Sequence, residues 1–74
     1  MASSALARRF GLLIRRLRGE VFLSQEEFAD RCGLHRTYIG AIERGEKTVT
    51  IDTAAKLAKA LDLSLSQLFA HLES

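Results

Sequence analysis

Residues 24 to 44, Ser-Gln-Glu-Glu-Phe-Ala-Asp-Arg-Cys-Gly-Leu-His-Arg-Thr-Tyr-Ile-Gly-Ala-Ile-Glu-Arg, restrict the possible fold more than any other stretch. Ser24 stands ahead of an apolar-periodic run, and Glu27 follows three residues later. That spacing is a capping box, in which the serine oxygen accepts from the Glu27 amide and the glutamate reaches back to the serine amide. Phe28, Ala29 and Cys32 then share one helical face. Gly33 supplies the left-handed residue that ends a helix without a Cβ clash. Leu34 turns into the core, and a second helix carries Tyr38, Ile39 and Ile42 at the same spacing. Two short helices around a glycine-containing turn of this length form a helix-turn-helix unit. In such a unit the second helix enters the major groove of DNA.

The rest of the chain reads as support for that unit. Its 74 residues allow one domain, expected to span 1–74 with a core from about 5 to 72. The absence of proline and the scarcity of β-branched and aromatic residues favour an all-α fold. With 47% hydrophobic residues, the chain can pack rather than remain disordered. A core of this size is marginal unless copies associate.

Five helices are expected. The first runs roughly from Ala5 to Arg18, capped by Ser3 or Ser4 and ended by Gly19. Leu6, Phe10, Leu13, Ile14 and Leu17 form its buried stripe. Residues 20 to 23 make a loop that inserts Leu23 under the second helix, which covers about 25–32. The third covers about 36–44 and is closed by Gly45. An irregular connection leads to Thr50, the N-cap of a fourth helix running from Ile51 to about Leu61. Its buried face is Ile51, Ala54, Leu57, Ala58 and Leu61. Asp62 follows, where glycine is the easier stop. Ser64 and Gln67 form a second capping box, opening a fifth helix from Leu65 to about Leu72. The first four residues are expected to fray.

The net charge of +2 says less than its distribution. Arg8, Arg9, Arg15, Arg16 and Arg18 crowd the first helix, and Arg36, Arg44 and Lys47 lie in or just after the third. The single cysteine, Cys32, packs as a small hydrophobe on the apolar side of the second helix, which suits a reducing cytoplasm. Arg15 and Arg16 interrupt the N-terminal apolar run, so it is neither a secretory signal nor a membrane span. His35 and His71 are far apart, the serines are accounted for as caps, and no phosphate loop or metal-ligand cluster occurs. No enzyme, cofactor or metal site is expected.

Taken together, Leu23-Ser24-Gln25-Glu26-Glu27-Phe28-Ala29, Gly33-Leu34, Arg36-Thr37-Tyr38-Ile39 and Ile42-Glu43-Arg44-Gly45 carry a family resemblance. So do Lys56-Leu57-Ala58-Lys59-Ala60-Leu61 and Leu65-Ser66-Gln67-Leu68-Phe69 downstream. Over roughly residues 10 to 70 the chain resembles the lambda-repressor-like, Cro/C1-type helix-turn-helix domains, also called the xenobiotic-response-element type. The small size and the Arg36-Thr37-Tyr38-Ile39 run look most like the controller proteins of restriction–modification systems. Two positions depart from the family pattern. Phe22 stands where the family usually has glycine, and Ala54 and Ala55 where it usually has larger residues.

Base reading falls to the start of the third helix. Arg36 can fork onto guanine O6 and N7, and Thr37 can bond an edge or touch a thymine methyl. The alternative for Arg36 is a solvated charge, which the helix dipole disfavours at that end. Tyr38 either covers the turn or meets DNA, and DNA contact is the expectation. Ala41, expected on the exposed face, can touch a thymine methyl. Gln25 and Ser24, at the start of the second helix, and Arg44, Lys47 and Thr48, beyond the third, are the candidate phosphate contacts. The bland reading of each surface cation is an idle solvated charge. His35 is expected to cap the third helix. The resemblance implies that Arg18 and Glu43 form a structural ion pair holding the third helix in place.

The resulting expectation is a transcriptional regulator that binds palindromic operator DNA as a homodimer, with a restriction–modification controller as the finer expectation. Half-sites should lie about one helical turn apart. Leu65, Phe69 and Leu72 form the expected dimer surface, unless they merely cap the core. RNA polymerase is a further candidate partner, whereas no membrane and no small-molecule ligand is expected. The expected location is the bacterial or phage-infected cytoplasm, at the nucleoid. The competing readings are a phage-repressor-like or antitoxin-like regulator, and a helix-turn-helix module that binds protein instead of DNA.

Overall fold

The computed structural model describes residues 4–74, so the Ser3 cap and the fraying of residues 1–3 lie outside the described residues. The fold is all-α. Five helices follow in order: α1 (Ala5–Glu20), α2 (Gln25–Cys32), α3 (Arg36–Glu43), α4 (Ile51–Ala60) and α5 (Leu65–Glu73). α1 packs on α3 and α5, α2 on α3 and α4, and α4 on α5. Phe28, Ile14, Ile39, Ile42, Leu57 and Leu68 are fully buried at the centre, one or two from each helix. Leu23 and Leu34 pack against this core from the two turns that flank α2.

Local chemistry explains where the helices begin. Ser4, Ser24, Thr50 and Ser64 each accept a hydrogen bond from an amide three residues ahead, satisfying a donor the helix itself leaves unpaired. Ser24–Glu27 and Ser64–Gln67 are complete capping boxes.

The ends differ from expectation at two places. α1 continues through Gly19 to Glu20, and the left-handed residue that stops it is Phe22, at φ 60°. α4 stops the same way with Asp62, at φ 59°. Both turns put a residue with a Cβ where glycine is the unstrained choice. α3 ends at Glu43, with Arg44 as its C-cap, and Gly45 makes the reversal at φ 75°.

Two residues expected in the core point outward. Leu6 is 57% exposed and Ile51 is 73% exposed. On α1 the first buried turn belongs to Ala7, and the stripe continues through Gly11. The reason is the approach of α3. A Cβ at Gly11 would fall onto the Ile42 carbonyl oxygen and within 2.8 Å of that of Glu43. Only small residues fit along this seam, so the pattern of large residues misplaces its centre. On α4, Ile51 occupies the first turn, beyond the reach of the core, while Ala54 is buried against it. Cys32 is buried, and burial pushes its thiol up to about 11, which leaves it protonated and unreactive.

Candidate nucleic-acid interface

The helix-turn-helix is built as its spacing implied. Ser24 Oγ accepts from the Glu27 amide at 3.0 Å, and Glu27 Oε1 accepts from the Ser24 amide at 2.9 Å. The Ser24 amide, and after it the Ser24 hydroxyl, hydrogen-bond the Glu27 carboxyl and hold it below its ordinary value. Gly33 sits at φ 69°, and the Leu34 amide reaches back to the Ala29 carbonyl at 3.0 Å. α3 then opens with His35, whose Nδ1 accepts from the Thr37 amide at 3.1 Å.

Arg36 and Thr37 are exposed at this opening. Among the described residues, neither side chain has a hydrogen-bond or ion-pair partner. Tyr38 is different: it is half-buried and packs on the core, so much of its ring is structural. Ala41 requires a correction. Its spacing puts it on the side of Thr37, yet it is only 8% exposed. The chain doubles back there, and the Glu46 amide bonds the Ala41 carbonyl at 2.9 Å. A methyl so covered offers thymine almost no surface.

The base of α3 is tied to two other elements through one carboxylate. Glu43, with its side chain 2% exposed, accepts from Arg18 Nε at 2.7 Å and Arg18 Nη2 at 3.0 Å. These bonds raise the Arg18 guanidinium above its ordinary value, against the opposing effect of burial. The same arginine donates through Nη1 to the Leu23 carbonyl at 2.9 Å. Gln25 Nε2 donates to Glu43 Oε1 at 2.9 Å. The ion pair implied by the resemblance is therefore present, and it is larger than a pair. Gln25, expected to face phosphate, spends one amide N–H inside this cluster. No local pattern announces that bond, which spans 18 positions of sequence.

Arg44 is also engaged. Its Nε and Nη2 donate to Glu46 at 2.8 and 3.2 Å in a fork-to-fork pair on the surface. The pair holds the Glu46 carboxyl below its ordinary value. Arg44 and Gln25 flank Gly40: a methyl added there would lie 3.1 Å from Arg44 Nη1 and 3.7 Å from Gln25 Oε1. Lys47 and Thr48 are exposed in the connection after Gly45.

Next to Lys47 and Thr48, which line the same groove, α5 presents Phe69, 38% exposed, with Leu72 half-buried beside it. These two line a groove of about 190 Å³ together with Leu6, Phe10, Ile51 and Ala54. Leu65 is half-buried against the core and does not line the groove. Leu6 and Ile51, which helical periodicity assigns to the interior, thus join Phe69 and Leu72 of the expected dimer surface in one apolar face. Among the described residues, no cluster of three His, Cys, Asp or Glu residues could hold a metal ion. No described helix is long and apolar enough to cross a membrane.

Comparison with known proteins agrees with this geometry. A helix-turn-helix family model matches residues 14–68. The control protein C.SmaI of Serratia marcescens is 56% identical over 46 residues, 62% of this chain and 55% of that protein. The chain thus spans about half the length of that relative. Among solved structures, the restriction–modification controller protein C.AhdI of Aeromonas hydrophila superposes with a TM-score of 0.85 at 42% identity. That match covers 89% of this chain and all of that one. The controller protein C.Esp1396I, solved as a tetramer in complex with its natural 35 base-pair operator, superposes with a TM-score of 0.88. It is 33% identical, over 95% of this chain and 92% of that one.

Proposed function

Because this chain belongs to the Cro/C1-type helix-turn-helix family, with restriction–modification controller proteins among its relatives, we propose that it is a sequence-specific transcriptional regulator of that type, acting on DNA in the bacterial cytoplasm. The observation that carries this reading is the contrast within α3. Glu43 is saturated by Arg18 and Gln25, whereas Arg36 and Thr37 project from the other end with no partner among the described residues. A charged guanidinium at a helix start gains nothing from the dipole, but it gains a bidentate pair when guanine is the partner. The Arg18–Glu43–Gln25 cluster fixes the angle at which that end is offered. The free N–H groups at the start of α2, with Ser24 and the remaining Gln25 N–H, supply phosphate contacts on one side. Arg44, Lys47 and Thr48 supply them on the other.

A monomer offers two or three reading side chains, too few for useful specificity. The apolar face of Leu6, Ile51, Phe69 and Leu72 gives a two-fold contact in which the same patch serves both copies. Two copies so paired read a palindrome with half-sites about one helical turn apart. By analogy with the C.Esp1396I complex, two such dimers occupy one operator. Nothing in this reading calls for catalysis or a small-molecule inducer, and RNA polymerase is the natural further partner of a regulator bound beside a promoter.

The test uses a duplex selected from random DNA by the wild-type protein. Arg36→Ala should weaken binding to it by about 1–3 kcal/mol and relax sequence preference. Lys47→Ala should weaken binding to every duplex and lower the salt slope by about one. Undiminished specific binding by Arg36→Ala overturns the assignment of the reading residue. A wild-type protein that selects no duplex points instead to a protein-interaction module.

A further inference from the structure

Among the described residues Phe22 is the most exposed large apolar side chain, at 91%, and its neighbour Val21 is 46% exposed. The backbone beneath it is left-handed, at φ 60°. Such a conformation costs a non-glycine residue about 1–2 kcal/mol, and the solvated ring recovers none of that by burial within the chain. The turn is not a loose one. The Phe22 amide bonds the Gly19 carbonyl at 3.0 Å, and the Leu23 amide and carbonyl bond the Arg18 carbonyl and guanidinium at 3.2 and 2.9 Å. The ring is therefore held out from the same cluster that positions α2 and α3, two residues before the N-terminus that faces phosphate.

The size of the subunit says what can meet it. This inference rests on the DNA-binding reading above. A 35 base-pair operator is about 119 Å long, so four subunits along it have about 30 Å each. The longest extent of this chain is 29 Å. Four copies on such an operator abut one another. Each inner copy then needs two contact surfaces, one for its dimer mate and one for the neighbouring dimer. The apolar face of Leu6, Ile51, Phe69 and Leu72 serves the first. Outside that face the exposed large apolar side chains of the described residues are Leu12, Val21 and Phe22; Phe22 is the most solvated of them and stands two residues before the N-terminus of α2. We propose that Phe22 is the contact between adjacent dimers, its ring set against a second copy of this chain bound to the neighbouring site.

Phe22→Gly tests this without endangering the fold, because glycine accepts the left-handed backbone freely. Phe22→Asn is the second variant, since asparagine also tolerates that conformation. Binding is measured on two duplexes, one carrying the selected palindrome once and one carrying it twice with centres about half of the relative's 35 base-pair operator apart. Both variants should bind the single site like wild type, and lose about tenfold or more of the cooperativity between paired sites, the scale expected for one buried phenylalanine. Unchanged cooperativity in a protein that binds the single site overturns the proposal. An equal loss on single and paired sites also overturns it, and assigns the ring to DNA instead. If wild type binds neither duplex, it is the DNA-binding reading that has failed.

Discussion

Glu43→Ala isolates the cluster on which the reading helix stands. The substitution removes the acceptor of three hydrogen bonds, two from Arg18 and one from Gln25. It leaves a guanidinium with a side chain 16% exposed facing a site that was built for a carboxylate. Breaking one half of a buried pair costs about 3–5 kcal/mol. Water still reaches Arg18, and the Leu23 carbonyl still accepts from it, so the lower end, about 3 kcal/mol, is expected. A chain of this length has a total stability of about 4–11 kcal/mol. The loss is thus between a quarter and most of the total, and should lower the melting temperature by about 12–24 °C. Urea unfolding followed by far-ultraviolet circular dichroism measures it directly. The informative companion is Arg18→Met with Glu43→Leu, which removes both charges and fills the space. It should recover most of the stability, because the penalty lies in the orphaned charge rather than in the loss of the pair. A Glu43→Ala protein within about 1 kcal/mol of wild type refutes this account. So does a double variant as unstable as the single one.

Four further outcomes follow from the geometry. Gly11→Ala should destabilise by at least about 1–3 kcal/mol, because its Cβ meets the α3 backbone. Gly19→Ala, with nothing within 4 Å, should stabilise by about 0.5–1 kcal/mol, and equal effects in thermal melts would contradict the close approach of α1 and α3. Glu46→Gln frees Arg44 for phosphate and should tighten DNA binding up to about fivefold at low salt, with the gain shrinking as salt rises; no change in a titration would show that Arg44 does not touch DNA. The capped Glu27 carboxyl lies below its reference of 4.5, so its ionised form stabilises the fold. That contribution is complete above about pH 4.5 and is lost as pH falls through the folded-state value. Glu27→Gln should therefore flatten the acid side of the melting-temperature profile, and an unaltered profile would rule the cap out as its source.

What the sequence reveals divides by the range of the interaction. Ser24–Glu27, Ser64–Gln67 and Thr50 are readable because a cap is satisfied within three residues. The turn at Gly33 is readable because glycine is the residue its backbone favours. The end of α1 is not, because Phe22 occupies a conformation that its own chemistry disfavours, and Gly19 offers a false stop. Leu6 and Ile51 mislead for another reason. Periodicity reports that a side chain avoids water, and cannot say whether its own core or another surface covers it. Gln25 was assigned outward because its bond to Glu43 joins two helices and leaves no trace in local spacing. The seam at Gly11 did have a signal, a glycine inside a helix on its apolar side.

The absence of intramolecular partners at Arg36 and Thr37 bears on how such regulators diverge. Side chains that hold nothing together can be exchanged without a folding penalty, since surface substitutions away from structural contacts usually shift stability by no more than about 0.5 kcal/mol. On the proposal that Arg36 and Thr37 read the operator, its preference can drift, or be rewritten by hand, while the Arg18–Glu43–Gln25 cluster keeps the scaffold constant. On that proposal, two copies of this fold in one cell become mutually blind when two adjacent residues are changed.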